Sequence, residues 1–356
     1  RYYTPGAVIA LGDAVQQGRR GRSTKLFNVA LGILAEAEFR LGRWDDAAIH
    51  AELAVSLADA TDEFIAVVPA HGSAAEIHAA RGRFAASAEH IDRVSVFEAV
   101  MPGWAVKVRA AMAQAFLAIA KDDRAMLRSA GRILLSEPIR SHVLARREAW
   151  QWRVMVAEAQ LAGGALEEAT ETVAGLASEV RSLGLANAVP DLARLTGSLA
   201  DAHGRHQDAL DAYSIDAVAA AAAQSPLAVA RLALARGELQ VRVGDRPTGI
   251  ASLEAARTAF AELGAVPFLG RCEAALAATG ALTPRDGGPP GLDLSPRQEA
   301  VALLVADGMT NKEIASELYV SVKAVEYHLG QIYARTGLRS RRELGARMRA
   351  AANHRG

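Results

Sequence analysis

The chain of 356 residues is long enough for two or more domains. Hydrophobic residues make up 51% of it but aromatics only 5%, and alanine is abundant, which favours closely packed helices over a β-protein. Lys+Arg and Asp+Glu both number 40, which excludes a bulk attraction for nucleic acid. The lone Cys272, expected to be a small buried apolar residue, excludes an intrachain disulfide and fits a reducing compartment. No apolar run approaches the ~18 residues of a membrane span, and Arg1-Tyr2-Tyr3-Thr4-Pro5 has no apolar core behind it, so a cytoplasmic protein with no membrane partner is expected.

Taken in order, residues 1–25 read as a connector. Ala7 to Gln17 can form a helix, and Gly18 to Lys25 reads as a basic, glycine-broken loop. That loop is not a phosphate cradle, because Lys25 follows Ser23-Thr24 instead of preceding them.

Residues 26–280 repeat. A glycine between two apolar-periodic helices recurs at Gly42, Gly82, Gly164, Gly204 and Gly244, a period of about 40 with one degenerate copy expected near Lys121. Each glycine lets the chain turn, and a small residue five positions on, such as Ala47 or Ser87, lets the two helices approach. Such hairpins cannot bury their apolar faces singly, so they are expected to stack into an α-solenoid with a concave face open to a protein, peptide or small ligand. The pattern L-G-x-x-x-x-A resembles tetratricopeptide repeats, whose usual length is about 34.

Nothing in this region spells catalysis. His203 and His206 straddle a repeat turn without ligand-spaced partners, and the acid pairs Asp45-Asp46, Asp122-Asp123 and Glu167-Glu168 stand where they complement helix dipoles. No enzyme activity, cofactor or metal is expected. Among Trp44, Trp104, Trp150 and Trp152 packing roles are expected to dominate. Trp150 and Trp152 lie two apart, so at least one is expected at an edge or on the concave face.

Residues 281–293, with Pro284, Pro289 and Pro290 and three glycines, read as a linker. Residues 294–356 follow as a second domain. From residue 291 onward there are ten Lys/Arg and seven acids, against thirty and thirty-three before it, so the tail is mildly basic. Its helix punctuation is clear. Ser295 with Gln298, Thr310 with Glu313, and Ser340 with Glu343 form capping-box pairs; Ser321 caps a further helix; Gly308 and Gly337 are stops. Each cap contributes about 1 kcal/mol.

In the middle pair, Ile314, Leu318, Val322, Val325, Leu329 and Ile332 form an apolar stripe, with small Ala315 where the helices cross. Lys323, Glu326, Tyr327, Gly330, Gln331 and Ala334 are left on the other face. This is a helix-turn-helix pattern, whose second helix enters the DNA major groove. Thr310, Asn311, Lys312, Arg335, Arg339 and Arg341 are candidate phosphate contacts, and Lys323, Glu326, Tyr327 and Gln331 candidate base readers. Ser321 and Val322, at the start of that helix, complete the candidate DNA-binding set. His328 is expected to pack or to touch phosphate.

The residues Asn311-Lys312-Glu313-Ile314-Ala315, Val325-Glu326-Tyr327-His328-Leu329, Ile332-Tyr333 and Gly337-Leu338-Arg339-Ser340-Arg341 resemble the LuxR-type helix-turn-helix domain of bacterial transcription regulators. The resemblance covers about the last 60 residues. It departs at Gln298 and Ala300, where the family usually has acids, and at Thr336, where it has leucine; the threonine is expected to loosen the end of the recognition helix. The resemblance implies double-stranded promoter DNA as partner and a homodimer on DNA through the last helix, residues 340–350. Tetratricopeptide-like repeats before such a domain resemble the C-terminal part of the large ATP-binding LuxR-family regulators, the maltose-operon-activator group, which carry an upstream NTPase module; were this chain a fragment, that module would stand before Arg1. A receiver fold is not expected, since no alternating strands are visible.

The sequence thus predicts an all-α transcription regulator whose repeats sense an effector or dock a partner. The alternative is a repeat scaffold with a secondary DNA-binding tail.

Overall fold

The structure, a computed structural model, describes residues 5–20, 24–61, 64–100, 103–144, 150–214, 225–280, 294, 296–317 and 322–353. Among these, every regular element is helical and no strand is present. The chain divides into two compact units, residues 1–281 and 282–356. The linker expected at 281–293 lies outside the described residues.

In the first unit α1 (Pro5–Arg20) precedes a series of hairpins. These are α2 (Thr24–Arg40) with α3 (Trp44–Thr61), α4 (Phe64–Ala80) with α5 (Phe84–Val100), and α6 (Trp104–Lys121) with α7 (Arg124–Leu135). After short α8 (Ile139–Leu144) come α9 (Trp150–Gly163) with α10 (Leu166–Leu183), α11 (Val189–Ala202) with α12 (His206–Tyr213), α13 (Pro226–Arg242) with α14 (Arg246–Leu263), and finally α15 (Val266–Ala278). The region read as a connector is therefore partly structure. α1 runs on through Gly18 to Arg20, and its Val8 and Val15 are buried in one core with Leu31 and Leu34 of α2.

The repeat turn is one piece of backbone used six times. Gly42, Gly82, Gly164, Gly204 and Gly244 all have φ between 74° and 96°. The degenerate copy is at Asp122, which takes the same left-handed conformation at φ 56°. The bonds repeat as well. The Gly42 N–H donates to Phe39 O and the next N–H, of Arg43, to Glu38 O; Asp122 and Asp123 do the same to Ile119 O and Ala118 O. This double closure satisfies the last carbonyls of the first helix. Five residues on, Ala47, Ser87, Ala169, Ala209 and Gly249 are all buried, and Ser87 keeps its hydroxyl satisfied by donating to Ala75 O at 2.8 Å. Alanine serves the same close approach along whole helices: α3 buries Ala47, Ala48, Ala51, Ala54 and Ala58.

First helices of successive hairpins pack on one another, α2 on α4, α4 on α6, α9 on α11 and α11 on α13. The array bends back on itself, so that α15 touches α4 and α6. The turn at Gly42 abuts Pro226, and that at Gly82 abuts Pro267. Within this unit the expected concave face is thus enclosed by return contacts and carries pockets between helices.

Trp150 and Trp152 are both buried, at 8% and 5% exposure, and Trp150 lines an interhelical pocket with Phe39, Phe116 and Leu227. Helix α9 is contacted by α6, α7, α10 and α11, which cover both rings while Gln151 and Arg153 stay half-buried. The Trp152 Nε1–H donates to Leu134 O at 3.0 Å. Cys272 is buried as expected; its thiol donates to Leu253 O, and burial foremost pushes its pKa up to about 12.

Two polar features of the interior went unforeseen. Glu76 of α4 holds Arg40 of α2 at 2.7 Å and Arg109 of α6, and Glu158 of α9 holds Arg194 of α11 at 2.5 Å and Arg231 of α13 at 2.6 Å. The other is a histidine cluster. His71 Nδ1 is 3.0 Å from His90 Nδ1, His71 Nε2 is 3.2 Å from Asp59, and the rings of His78 and His90 stack.

The second unit has α16 (Pro296–Ala306), α17 (Asn311–Glu317), α18 (Val322–Thr336) and α19 (Arg341–Asn353). α16 packs on α18 and α19 around Val301, Ala302, Val305, Ile314, Ala315, Val325, Leu329, Ile332, Leu344 and Met348. Burying each large apolar side chain here contributes about 1.5–3 kcal/mol relative to exposure.

Candidate nucleic-acid interface

α16 is stopped at Gly308, φ 87°, whose N–H donates to Val305 O while Met309 N–H donates to Leu304 O. Two residues on, α17 starts with a complete capping box. The Glu313 N–H donates to Thr310 Oγ1 at 3.3 Å, and the Thr310 N–H and hydroxyl donate to the Glu313 carboxylate at 2.7 and 2.8 Å. Those bonds, the backbone one foremost, hold the Glu313 carboxyl below its ordinary pKa. Short α17 is thereby fixed at the end that carries Asn311 and Lys312.

α18 is aimed by its apolar stripe. Val325, Leu329 and Ile332 are buried, and Lys323, Glu326, Gly330 and Ala334 are exposed on the other side, with Tyr327 and Gln331 half-buried at its margin. Val322 departs from the expected stripe, and His328, expected to pack or to touch phosphate, packs. Val322 is 39% exposed and His328 2%. At 3.6 residues per turn they stand about 60° to either side of the Val325 direction. The core covers one edge and leaves the first turn of the helix open, so Val322 joins the outer face and His328 becomes a packing residue. The Tyr327 and His328 rings meet edge to face at 5.8 Å.

The end of α18 is firmer than expected. The Thr336 hydroxyl donates to Ile332 O at 2.6 Å and accepts from Leu338 N–H, and Gly337 follows at φ 71°. The Ser340 box is shifted by one residue. Glu343 N–H donates to Ser340 Oγ at 3.2 Å, but the Glu343 carboxylate accepts from Arg339 N–H, not from Ser340.

Of the candidate contacts, Thr310, Lys312, Val322, Lys323, Glu326 and Arg339 are exposed. Asn311 and Arg341, expected as separate phosphate contacts, are bonded to each other. Arg341 Nη1 donates to Asn311 Oδ1 at 2.7 Å and its Nη2 to Met309 O, so this arginine ties α19 to the turn before α17. Ser321 and the stripe residue Leu318 lie outside the described residues, as does the Ser295 cap; Arg335 is in α18, without a described side chain. The Arg341 latch was legible only in part: the sequence marked both partners as polar and near the interface, but not that they meet.

Residues 292–348 match the bacterial regulatory proteins of the luxR family. This segment is a luxR-family domain. Over it the chain is 45% identical across 53 residues to the response regulator Rre1 of Synechocystis, covering 15% of this chain and 23% of that protein. It is 49% identical across 51 residues to the oxygen regulatory protein NreC of Staphylococcus aureus, covering 14% and 24%. The match thus spans about a quarter of the length of these relatives. Family and relatives support DNA-binding transcription regulation. Across 96% of this chain and 94% of the other, the fold is similar to that of a Rap protein solved with competence and sporulation factor, at a TM-score of 0.56 and 9% identity. That likeness is one of helical-repeat fold alone. Among the described residues no helix is long and apolar enough to cross a membrane.

Proposed function

We propose that the protein is a transcription regulator in which α18 reads promoter DNA in the major groove and the helical-repeat unit receives the regulatory signal. The observation that carries this reading is the outer face of α18. Lys323, Glu326 and Val322 stand exposed beside Tyr327 and Gln331, while the helix is anchored through Val325, Leu329 and Ile332. Glu326 can accept from cytosine N4, Gln331 can pair with adenine, and Tyr327 and Val322 can meet a thymine methyl. Lys312, Arg335 and Arg339 serve the phosphates, assisted by the N–H groups at the start of α17. Asn311 and Arg341 act mainly by placing α17. Two copies paired through α19 would read two half-sites.

For the repeats, support comes from the interhelical pockets and from the fold likeness to a protein solved with a bound factor. Neither enzymatic activity nor a cofactor is needed in this reading.

The test is a gel shift of the whole chain against genomic promoter fragments at two salt concentrations. Retention of a subset of fragments is expected, weakening steeply with salt at about 0.9 in log–log slope per phosphate contact. Failure to retain any fragment at low salt would sink the reading and favour a scaffold.

A further inference from the structure

The two buried glutamates of the repeat unit are clamped alike, but their surroundings differ. Around Glu158, burial would raise the carboxyl pKa, and the guanidinia of Arg194 and Arg231 overcome this and hold it at about 2. Arg194 has a second carboxylate, Asp191, at 3.1 Å. A third arginine stands beside them. Arg271 of α15 stacks on the ring of Phe268 at 4.5 Å, and Arg231 lies over the same ring at 5.8 Å. The carboxylate paired with Arg271 is that of Asp122, 3.9 Å from Nη1 and itself 71% exposed. Its Nε and Nη2 are buried without a hydrogen-bond partner among the described residues. Burial first, then repulsion from Arg231, lowers its pKa. The side chain is 31% exposed, so Nη1 is the edge it offers. Arg194, Arg231, Arg271 and Arg124 line one pocket of about 250 Å³ with the carboxylates of Asp122, Asp123 and Glu158, against an apolar side of Ile119, Leu127 and Leu161; Glu158 is already engaged by Arg194 and Arg231.

Glu158 and Glu238 also act on the Arg271 guanidinium from a distance, but its only ion pair among the described residues is the long, solvated one to Asp122, so its donors are poorly matched. Its planar donors match carboxylate and phosphate oxygens, and the low dielectric of the surrounding helices strengthens such a bond. We propose that this pocket is a ligand site for a small molecule bearing an oxyanion, a carboxylate or phosphate seated against Nη1 of Arg271, with a short apolar body against Ile119 and Leu127. Use of the pocket as the entry point of a regulatory signal rests on the regulator reading above; its capacity to bind does not.

The experiment is thermal melting of the whole chain in sodium phosphate, in sodium malonate and in sodium chloride at equal ionic strength. At least one oxyanion is expected to raise the melting temperature above that in chloride, as a ligand that binds only the folded state must. A larger rise in phosphate assigns the natural group as phosphate, and a larger rise in malonate as carboxylate. Arg271→Gln is expected to abolish the rise. Arg205→Gln, at a residue whose side chain is 59% exposed, is expected to keep the rise. Should Arg271→Gln not fold, Arg271→Lys is expected to fold and to lose most of the rise. An equal rise in parent and Arg271 variants, or no rise in either oxyanion, would each overturn the site. Promoter retention by the same variants in chloride is expected at parental strength, so failure to bind oxyanion and failure to bind DNA are separable.

Discussion

Arg341 Nη1 stands 2.7 Å from Asn311 Oδ1, so the first residue of α19 is bonded to the first residue of α17. This makes Arg341 a positioning residue for the helix-turn-helix. Arg341→Ala should lower the stability of the second unit by about 1–2 kcal/mol, the cost of losing charge-assisted bonds to Asn311 and Met309 O. DNA affinity should fall with little change in salt slope. A variant that melts like the parent but has a slope shallower by about 0.9 would make Arg341 a phosphate contact after all.

The outer face of α18 gives a cleaner separation of folding from reading. The double substitution Lys323→Ala with Tyr327→Ala should weaken specific promoter binding about 10–100-fold, each lost base contact removing about 1–3 kcal/mol at most. Helicity by circular dichroism should be unchanged, since Lys323 is exposed and Tyr327 half-buried. An unfolded double variant, or one that binds as the parent does, would show that this face has been misassigned.

The repeat turns permit a paired test of backbone and packing. At Gly204, φ 74°, an added Cβ would have nothing within 4 Å, so Gly204→Ala should cost about 1 kcal/mol through the left-handed backbone alone. At Gly42, φ 78°, the Cβ would lie 2.5 Å from Pro226 Cγ, so Gly42→Ala should cost distinctly more, about 2–3 kcal/mol. Urea denaturation of both variants measures the difference; equal costs would argue against the return contact between the first turn and α13.

Acid should loosen the repeat unit in two stages. His78 and His90 sit at about 4, below their ordinary 6.5, chiefly through burial. Their folded-state pKa values are depressed, so stability is complete above about pH 6.5 and declines as pH falls toward 4. Glu158, held at about 2 against an ordinary 4.5, contributes stability that is complete above about pH 4.5 and fades as pH falls toward 2. Stability measured against pH should flatten between 6.5 and 4 in a His78→Gln, His90→Gln protein. Glu158→Ala should cost about 3–5 kcal/mol near neutrality by stranding Arg194 and Arg231. A slope between 6.5 and 4 unchanged in the histidine variant would rule out that first stage.

How much of this was legible in the chain follows from how local each feature is. The turns were, because a left-handed residue after a helix is a local demand that glycine answers; even the missing glycine was marked by period, and Asp122 fills it. The Thr310–Glu313 box was legible for the same reason. The wheel set Trp150 and Trp152 on different sides of α9; both sides meet neighbours, and Trp150 forms part of a pocket wall, a difference that the wheel alone does not show. The Glu76 and Glu158 clamps left a trace, since Arg40 to Glu76 and Glu158 to Arg194 are both 36 residues apart. Their meaning depended on knowing that first helices line up. On α18 the wheel was right through the middle and failed at one edge, at Val322, while it left His328 open between packing and phosphate; at both edges the depth of the surrounding core decides.

The contact of α15 with α4 and α6 changes what kind of object the repeat unit is. In a linear solenoid each repeat answers only to its neighbours, and the array can fray from an end one unit at a time. Here the ends brace each other. Loss of the last helix withdraws support from the second and third hairpins, more than a hundred residues away in sequence, and loss of α2 does the same to α13. The unit should therefore melt as one cooperative body and form slowly, since its closing contacts come only after the whole length has been laid down.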